Sequence, residues 1–374
     1  MRILLLSSVE HESGSALRFR GLAGALARRG HEVHLVEPSA GDSDPETPPG
    51  VTRHPCPRLP VRPEIQSPLW LLHGLAAVRR VRPDVVWALK PLPNAWIPAN
   101  AARSRGARVA VDFDDLDHAY YARGPVRALL RHFFRRAALA ADDATCHNER
   151  MFAELVRLRG ESRRPVFVDQ GIDVARFAAA AELPGRRAEL GLGAGPVLLY
   201  AGHLGPASDL APLLEALPPL AHARPGAKLL VVGDGRHRAS LETLAARVLP
   251  AGFAVFAGAV PHRDVAAYYA FADVALNYLE AKEANLYRAS IKVREALAAG
   301  VPVVASRTPD AERFAAFVRF PERADPASFV AAVDAELARP DRGRARDGAL
   351  WLAERGTFDV AVREIAERWE RGAR

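Results

Sequence analysis

The sequence predicts an α/β protein made of two parallel-sheet domains in tandem. Three observations carry this. A strand-helix-strand grammar occupies the first 37 residues, the same grammar restarts near residue 196, and a stretch of small residues broken by Pro and Gly lies between them. A chain of 374 residues, at about 150 per domain, has room for two full cores.

Ile3 to Ser7 reads as the opening strand. Apolar residues then recur at Phe19, Leu22, Ala23 and Leu26 with helical spacing, Gly30 supplies a stop, and Val33 to Val36 restarts a strand. Strands joined through a helix lie parallel by the right-handed crossover rule, with helices packed on the sheet. In the second half, Val197 to Tyr200 is a strand, Leu210, Leu213, Leu214 and Leu217 keep helical spacing, and Leu229 to Val232 is the next strand. Phe253 to Phe256, Val274 to Asn277 and Val301 to Ala305 are further strands. Phe358, Val362, Ile365, Ala366 and Trp369 share one face of a terminal helix that must bury them against something. These signals divide the chain into a first domain over 1–177, a linker over 178–195, a second domain over 196–355 and the terminal helix over 356–374.

Composition narrows the function. The chain is 49% hydrophobic and 25% charged, an ordinary globular balance that excludes disordered, collagenous and coiled-coil classes. No apolar run approaches the roughly 18 residues of a membrane span, and the apolar start is too short for a signal peptide, so a cytoplasmic protein is expected. Cys56 and Cys146 stand far apart with no CxxC partner, offering neither a disulfide framework nor a zinc site. The net charge is +7, which fits anionic partners, but no zinc finger, RNA-recognition signature or basic-aromatic alternation points to nucleic acid.

Dinucleotide binding is the first chemistry that such domains invite, and the fingerprint is missing. The loop from Ser7 to Ser15 has one glycine, and Gly233-Asp234-Gly235 is followed by Arg238 where a third glycine should stand. No Walker lysine occurs. The densest chemistry runs from Glu283 to Val304: a polar loop after a strand, a helix starting at Ser290 and stopping at Gly300, then another strand. Such a helix start sits at the carboxyl edge of the sheet, where open α/β sheets bind ligands. Lys292 and Arg294 in its first turn oppose the helix dipole, a conflict that a bound phosphate relieves. Glu295, one turn on, is placed to accept hydrogen bonds from ribose hydroxyls.

Ser290-Ile291-Lys292, Glu295 and Ala299-Gly300-Val301-Pro302-Val303-Val304 resemble the donor-site helix of GT-B glycosyltransferases, most similar to family 4. Supporting pieces are Arg29-Gly30-His31-Glu32-Val33, Arg82-Pro83-Asp84-Val85-Val86, Gly171-Ile172-Asp173, Tyr200-Ala201-Gly202-His203-Leu204 and Ala272-Asp273-Val274-Ala275-Leu276-Asn277. The resemblance spans nearly the whole chain. It implies two Rossmann-like domains facing across a cleft, acceptor on the first and nucleotide-sugar on the second, with the terminal helix returning to the first domain. It implies donor contacts at Gly14 and Ser15, the Gly258 and Val260 turn and the ribose-binding Glu295; Gly202, His203, Gly233 and Ser290 are further candidate donor contacts, and Arg288 and Lys292 are the local cations able to stabilise charge on a leaving diphosphate. It further implies retention of anomeric configuration, with the leaving phosphate assisting deprotonation. UDP or GDP would carry the sugar as co-substrate, with no resident cofactor or metal.

The sequence departs from the family pattern in three respects. Tyr287 stands where an acidic residue is usual, leaving Glu283 as the nearest carboxylate; His203 and Ser208 replace the diphosphate-neutralising arginine and lysine; and Asp112 replaces a first-domain histidine. Asp112 and Glu283 are therefore the candidate catalytic residues. Lys90 and Asp114 are candidate acceptor contacts, against a loop surface charge for Lys90 and helix capping for Asp114 or Asp115. Arg123, Arg127, Arg131, Arg135 and Arg136 punctuate an apolar helical stripe that fits either an anionic membrane surface or an ordinary surface helix. The acceptor class stays open among carbohydrates, lipid-linked sugars and small molecules. A catalytically weak sugar-nucleotide-binding partner protein and a GT-B-fold epimerase are the competing readings.

Overall fold

The computed structural model describes residues 1–9, 13–39, 47–57, 63–121, 123–205 and 208–372. They form two α/β units. The first takes in Met1–Gly171, Tyr287–Ala289 and Gly356–Arg374, and the second Ile172–Leu286 with Ser290–Arg355.

The first unit holds a seven-stranded sheet of β1 (Arg2–Leu6), β2 (Glu32–Ser39), β3 (Val51–Pro57), β4 (Val85–Leu89), β5 (Arg108–Phe113), β6 (Asp143–Cys146) and β7 (Val166–Phe167), in the order β3-β2-β1-β4-β5-β6-β7. Every pairing is parallel, with Ile3 facing Val33 on one side and Val85 on the other. Helices cover both faces, so β4, Val-Val-Trp-Ala-Leu, is buried along its whole length and reads as a continuous apolar run. The helix Phe358–Gly372 packs on this unit against the helix Gly14–Arg28, its Val362, Ile365, Ala366 and Trp369 buried in the same cluster as Phe19 and Trp87.

The second unit holds β8 (Val197–Ala201), β9 (Lys228–Val232), β10 (Ala254–Gly258), β11 (Val274–Asn277) and β12 (Val303–Ala305), all parallel, in the order β10-β9-β8-β11-β12. The stretch 178–195 is part of this unit. It contains a short helix, Arg186–Glu189, and its Leu192 is fully buried in the unit's core. Both sheets have a topological switch point, between β1 and β4 and between β8 and β11, and the strand ends beside it are where α/β sheets take ligands. Among the described residues no helix is long and apolar enough to cross a membrane.

Candidate functional site

In the second unit the carboxyl ends of β8, β9 and β10 turn at glycines. Gly233 has φ 134, and a Cβ there would stand 2.1 Å from the Gly202 carbonyl oxygen, so the first two turns close on each other only without side chains. The helix Ile291–Ala298 follows β11 across the switch point, with Ser290 at its N-cap position. Ser290 Oγ donates to Asn277 Oδ1 at 2.7 Å and its backbone N–H to Asp310 Oδ2 at 2.9 Å. Arg294 is not free to meet a phosphate: fully buried, it forms a two-pronged pair with Asp310 at 2.9 and 2.8 Å. That corrects the expectation that both first-turn cations face a ligand. Lys292 is the different case. Its Nζ lies 4.1 Å from the centroid of the Tyr200 ring, beside Gly202, and it has no hydrogen-bond or ion-pair partner among the described residues.

Glu295 is 4% exposed, and each of its oxygens has a donor: His262 Nε2 lies 2.8 Å from Oε1, and the Tyr269 hydroxyl 2.9 Å from Oε2. Burial pushes its carboxyl upward, but these two hydrogen bonds, with Arg176 nearby, outweigh burial and hold it below the ordinary glutamate value. The loop that carries Glu283 is organised by Asp209, whose Oδ1 meets Lys282 Nζ at 2.8 Å while Oδ2 accepts from Asn285 Nδ2 at 2.7 Å and from the Glu280 N–H at 3.2 Å. Glu283 itself is exposed at the start of the turn Glu283–Tyr287. His203 is exposed, Val260 half-buried, and Ser208 is buried with its carbonyl accepting from the Tyr200 hydroxyl at 2.9 Å.

In the first unit, Ser13 caps the helix that begins Gly14-Ser15, and Ser15 Oγ bonds Asp114 Oδ2; residues 10–12 of the loop before it lie outside the described residues. Lys90 follows β4 with φ 62 and is buried, which removes the surface-charge reading. Its ammonium meets Asp115 at 2.8 Å, Asp117 at 2.9 Å and Asp114 at 3.4 Å. Burial would lower its pKa; the three carboxylates outweigh that and hold it well above the ordinary lysine value. His147 Nε2 lies 3.6 Å from Asp114 Oδ1. Asp114 and Asp115 cap no helix: the turn Asp117–Tyr120 starts from Leu116 without a side-chain cap.

Asp112, expected to face a sugar, is instead an internal carboxylate. It is fully buried, with Oδ2 taken by Arg18 Nη1 at 2.6 Å and Oδ1 by Thr145 Oγ1 at 2.5 Å, and Trp87 Nε1 in turn donates to Thr145 at 3.2 Å. A β5 residue this deep has no face left for substrate, so the correction follows from burial alone. Arg288 falls in the first unit, where its carbonyl accepts from Asn148 Nδ2 at 3.2 Å. Sequence reasoning missed His262, Tyr269, Arg18, Thr145 and His147. Only the first two left a trace, a His and a Tyr seven positions apart on one helical face.

Comparison with known proteins identifies the family. The family profile described as "Glycosyl transferase 4-like domain" matches residues 13–169, and "Glycosyl transferases group 1" matches residues 195–338. A GDP-mannose-dependent alpha-mannosyltransferase of Mycolicibacterium smegmatis is 31% identical over 322 residues, 82% of this chain and 77% of that one. A GDP-mannose-dependent alpha-(1-6)-phosphatidylinositol monomannoside mannosyltransferase of the same organism is 27% identical over 69% of this chain, which spans 66% of that relative's length. Among solved structures, sucrose-phosphate synthase from Thermosynechococcus elongatus superposes with a TM-score of 0.77 at 17% identity, covering 99% of this chain and 98% of that one. HepE of Anabaena, solved with UDP-glucose, gives 0.77 at 16% identity, covering 99% and 100%. The fold is GT-B, and the chain belongs to family 4 of the glycosyltransferases.

Proposed function

We propose that the protein transfers a sugar from a nucleotide-diphosphate donor to an acceptor hydroxyl with retention, and that GDP-mannose is the donor. The observation that carries this is Glu295, a buried carboxylate held ionised by two donors at the ligand-binding edge of the second sheet. A carboxylate so held accepts from the two ribose hydroxyls, while the backbone at Gly258 and Val260 meets the base. The glycine turns at Gly202 and Gly233 let the diphosphate approach the backbone, and Ser290 begins the helix whose N-terminus, with Lys292, receives it. Breaking the sugar-phosphate bond leaves negative charge on that diphosphate, and oriented donors with a nearby cation are what stabilise it. His203 adds a polar group to the donor, and exposed Glu283 contacts the transferred sugar. GDP is favoured over UDP because the curated relatives named above are GDP-mannose-dependent.

On the acceptor side, Gly14 and Ser15 with Asp114 and Lys90 form the polar group beside the first switch point. Asp112 serves there by fixing Arg18 and Thr145, and the leaving phosphate takes the acceptor proton. The acceptor is lipid-linked in this reading, and the protein works peripherally on an anionic membrane. The helix Pro125–Ala140 supports it, with Val126 and Leu129 about half exposed among exposed arginines 131, 135 and 136 and no acidic residue along its length.

Calorimetric titration with GDP and UDP on the wild type and Glu295→Ala, followed by product analysis with GDP-mannose, tests the reading. GDP should bind tightly, and the substitution should weaken it more than about tenfold, the worth of a charge-assisted hydrogen bond. Unchanged binding in Glu295→Ala would overturn the site. A new sugar without any acceptor would mean epimerisation, and binding without product a partner role.

A further inference from the structure

Glu295 is one member of a chain of contacts. His262 opens the helix His262–Tyr269 and Tyr269 closes it, so one helical face supplies both donors to the carboxylate. The other ring nitrogen of His262 is also engaged. Arg176 Nη2, from the helix Val174–Ala178, lies 3.1 Å from Nδ1 and also donates to the His262 carbonyl. A guanidinium offers no acceptor, so Nδ1 must accept, and the ring proton sits on Nε2, facing Glu295. A carboxylate oxygen accepts two hydrogen bonds. One is spent at each oxygen inside the protein, and one is left at each for a ligand.

The structure assigns His262 as a positioning residue of the donor site: with its tautomer set by Arg176, it fixes the Glu295 carboxylate in the orientation that accepts the ribose diol of a nucleoside diphosphate. This rests on the reading of Glu295 as the ribose-binding residue. His262 acts through Glu295 and touches no reacting atom. The groups facing Glu295 are His262 and Tyr269 from one helix and Arg176 from another, and together they overcome the burial that would otherwise protonate it. Removing His262 therefore lets the carboxyl pKa rise, and the ribose contact weakens as the pH falls.

The test is GDP titration across about pH 5.5 to 8 on wild type, His262→Ala, His262→Gln, Arg176→Met and Glu295→Gln, each with a thermal melt. Each variant is compared with wild type at the same pH, which cancels the titration of the terminal phosphate of GDP at about pH 6; the wild-type Glu295 carboxyl titrates below the ordinary 4.5, outside this range. His262→Ala should bind about tenfold more weakly at pH 8 and lose further affinity toward pH 5.5. His262→Gln, whose amide still donates to Oε1 but does not titrate, should restore the wild-type profile. Equal affinity and profile in His262→Ala and wild type would overturn the assignment. If Glu295→Gln binds GDP as wild type does, the ribose reading itself fails; if only Glu295→Gln weakens binding, the role of His262 fails alone. Should His262→Ala not fold, Arg176→Met decides: it must weaken GDP binding, and an unchanged affinity overturns the assignment.

Discussion

Trp369 Nε1 donates to Asp143 Oδ2 at 3.0 Å, joining residues 226 positions apart in sequence. The same buried carboxylate accepts from Arg108 at 2.6 and 3.0 Å and pairs with Arg368 at 3.0 Å, so one aspartate at the head of β6 fastens the terminal helix. Asp143→Ala leaves the buried Trp369 N–H without its acceptor and frees two arginines that water reaches, and should destabilise the first unit by about 1 to 3 kcal/mol, read as a lower denaturant midpoint.

Gly21 makes a sharper version of the same test. A Cβ there would stand 2.2 Å from the Phe358 ring, packed at the start of the terminal helix. Gly21→Ala should therefore loosen residues 356–372 in hydrogen exchange while the β8 to β12 amides keep their protection.

Asp112→Ala separates fold from chemistry. It leaves Arg18 buried without its carboxylate, costing about 3 to 5 kcal/mol in stability. GDP affinity should be unchanged, because Asp112 lies in the first unit, whereas Glu295, Lys292 and the turns at Gly202, Gly233 and Gly258 lie in the second. A stable Asp112→Ala protein with weakened GDP binding would give Asp112 a part in ligand binding after all.

Glu37 sets a pH dependence. Fully buried, it has Arg20 at 3.4 Å and Arg53 at 3.6 Å, pairs too long to offset burial, and its carboxyl is pushed up to about 7. A carboxyl whose folded pKa exceeds its unfolded value gives stability that is present below about pH 4.5 and lost as the pH rises through about 7. Glu37→Gln should remove that decline, worth up to about 3 kcal/mol, from a series of melts.

Flotation with anionic liposomes checks the membrane reading. Reversing Arg127, Arg131 and Arg135 to Glu should abolish flotation, since each basic residue near an anionic surface contributes about 1 kcal/mol. Equal flotation of the variant and wild type would discard that helix as the contact.

The fold was legible wherever a pattern ran long enough. β1, the first helix and β2 showed their periods, β8, β9 and β11 stood out as apolar runs, and the helix after Ser290 carried its own start and stop. β7 is two residues long and has no period to read. β3 contains Pro55 and Pro57, which argue against a strand until the sheet order puts β3 at the edge, where proline is tolerated. Site residues failed where burial decides the role. Nothing in Asp112-Phe113-Asp114-Asp115 says that Asp112 points into the core and Asp115 toward Lys90. Arg294 looked like a phosphate ligand because its partner, Asp310, lies sixteen positions on in another element.

The terminal helix bears on how the chain is made. Its Trp369 and Val362 complete the apolar cluster that Phe19 and Trp87 begin, yet the ribosome must release the whole second unit before those residues emerge. A nascent first unit therefore waits with one flank of its earliest helix uncovered, and a product cut short before residue 356 would keep that flank bare for a chaperone or protease to find.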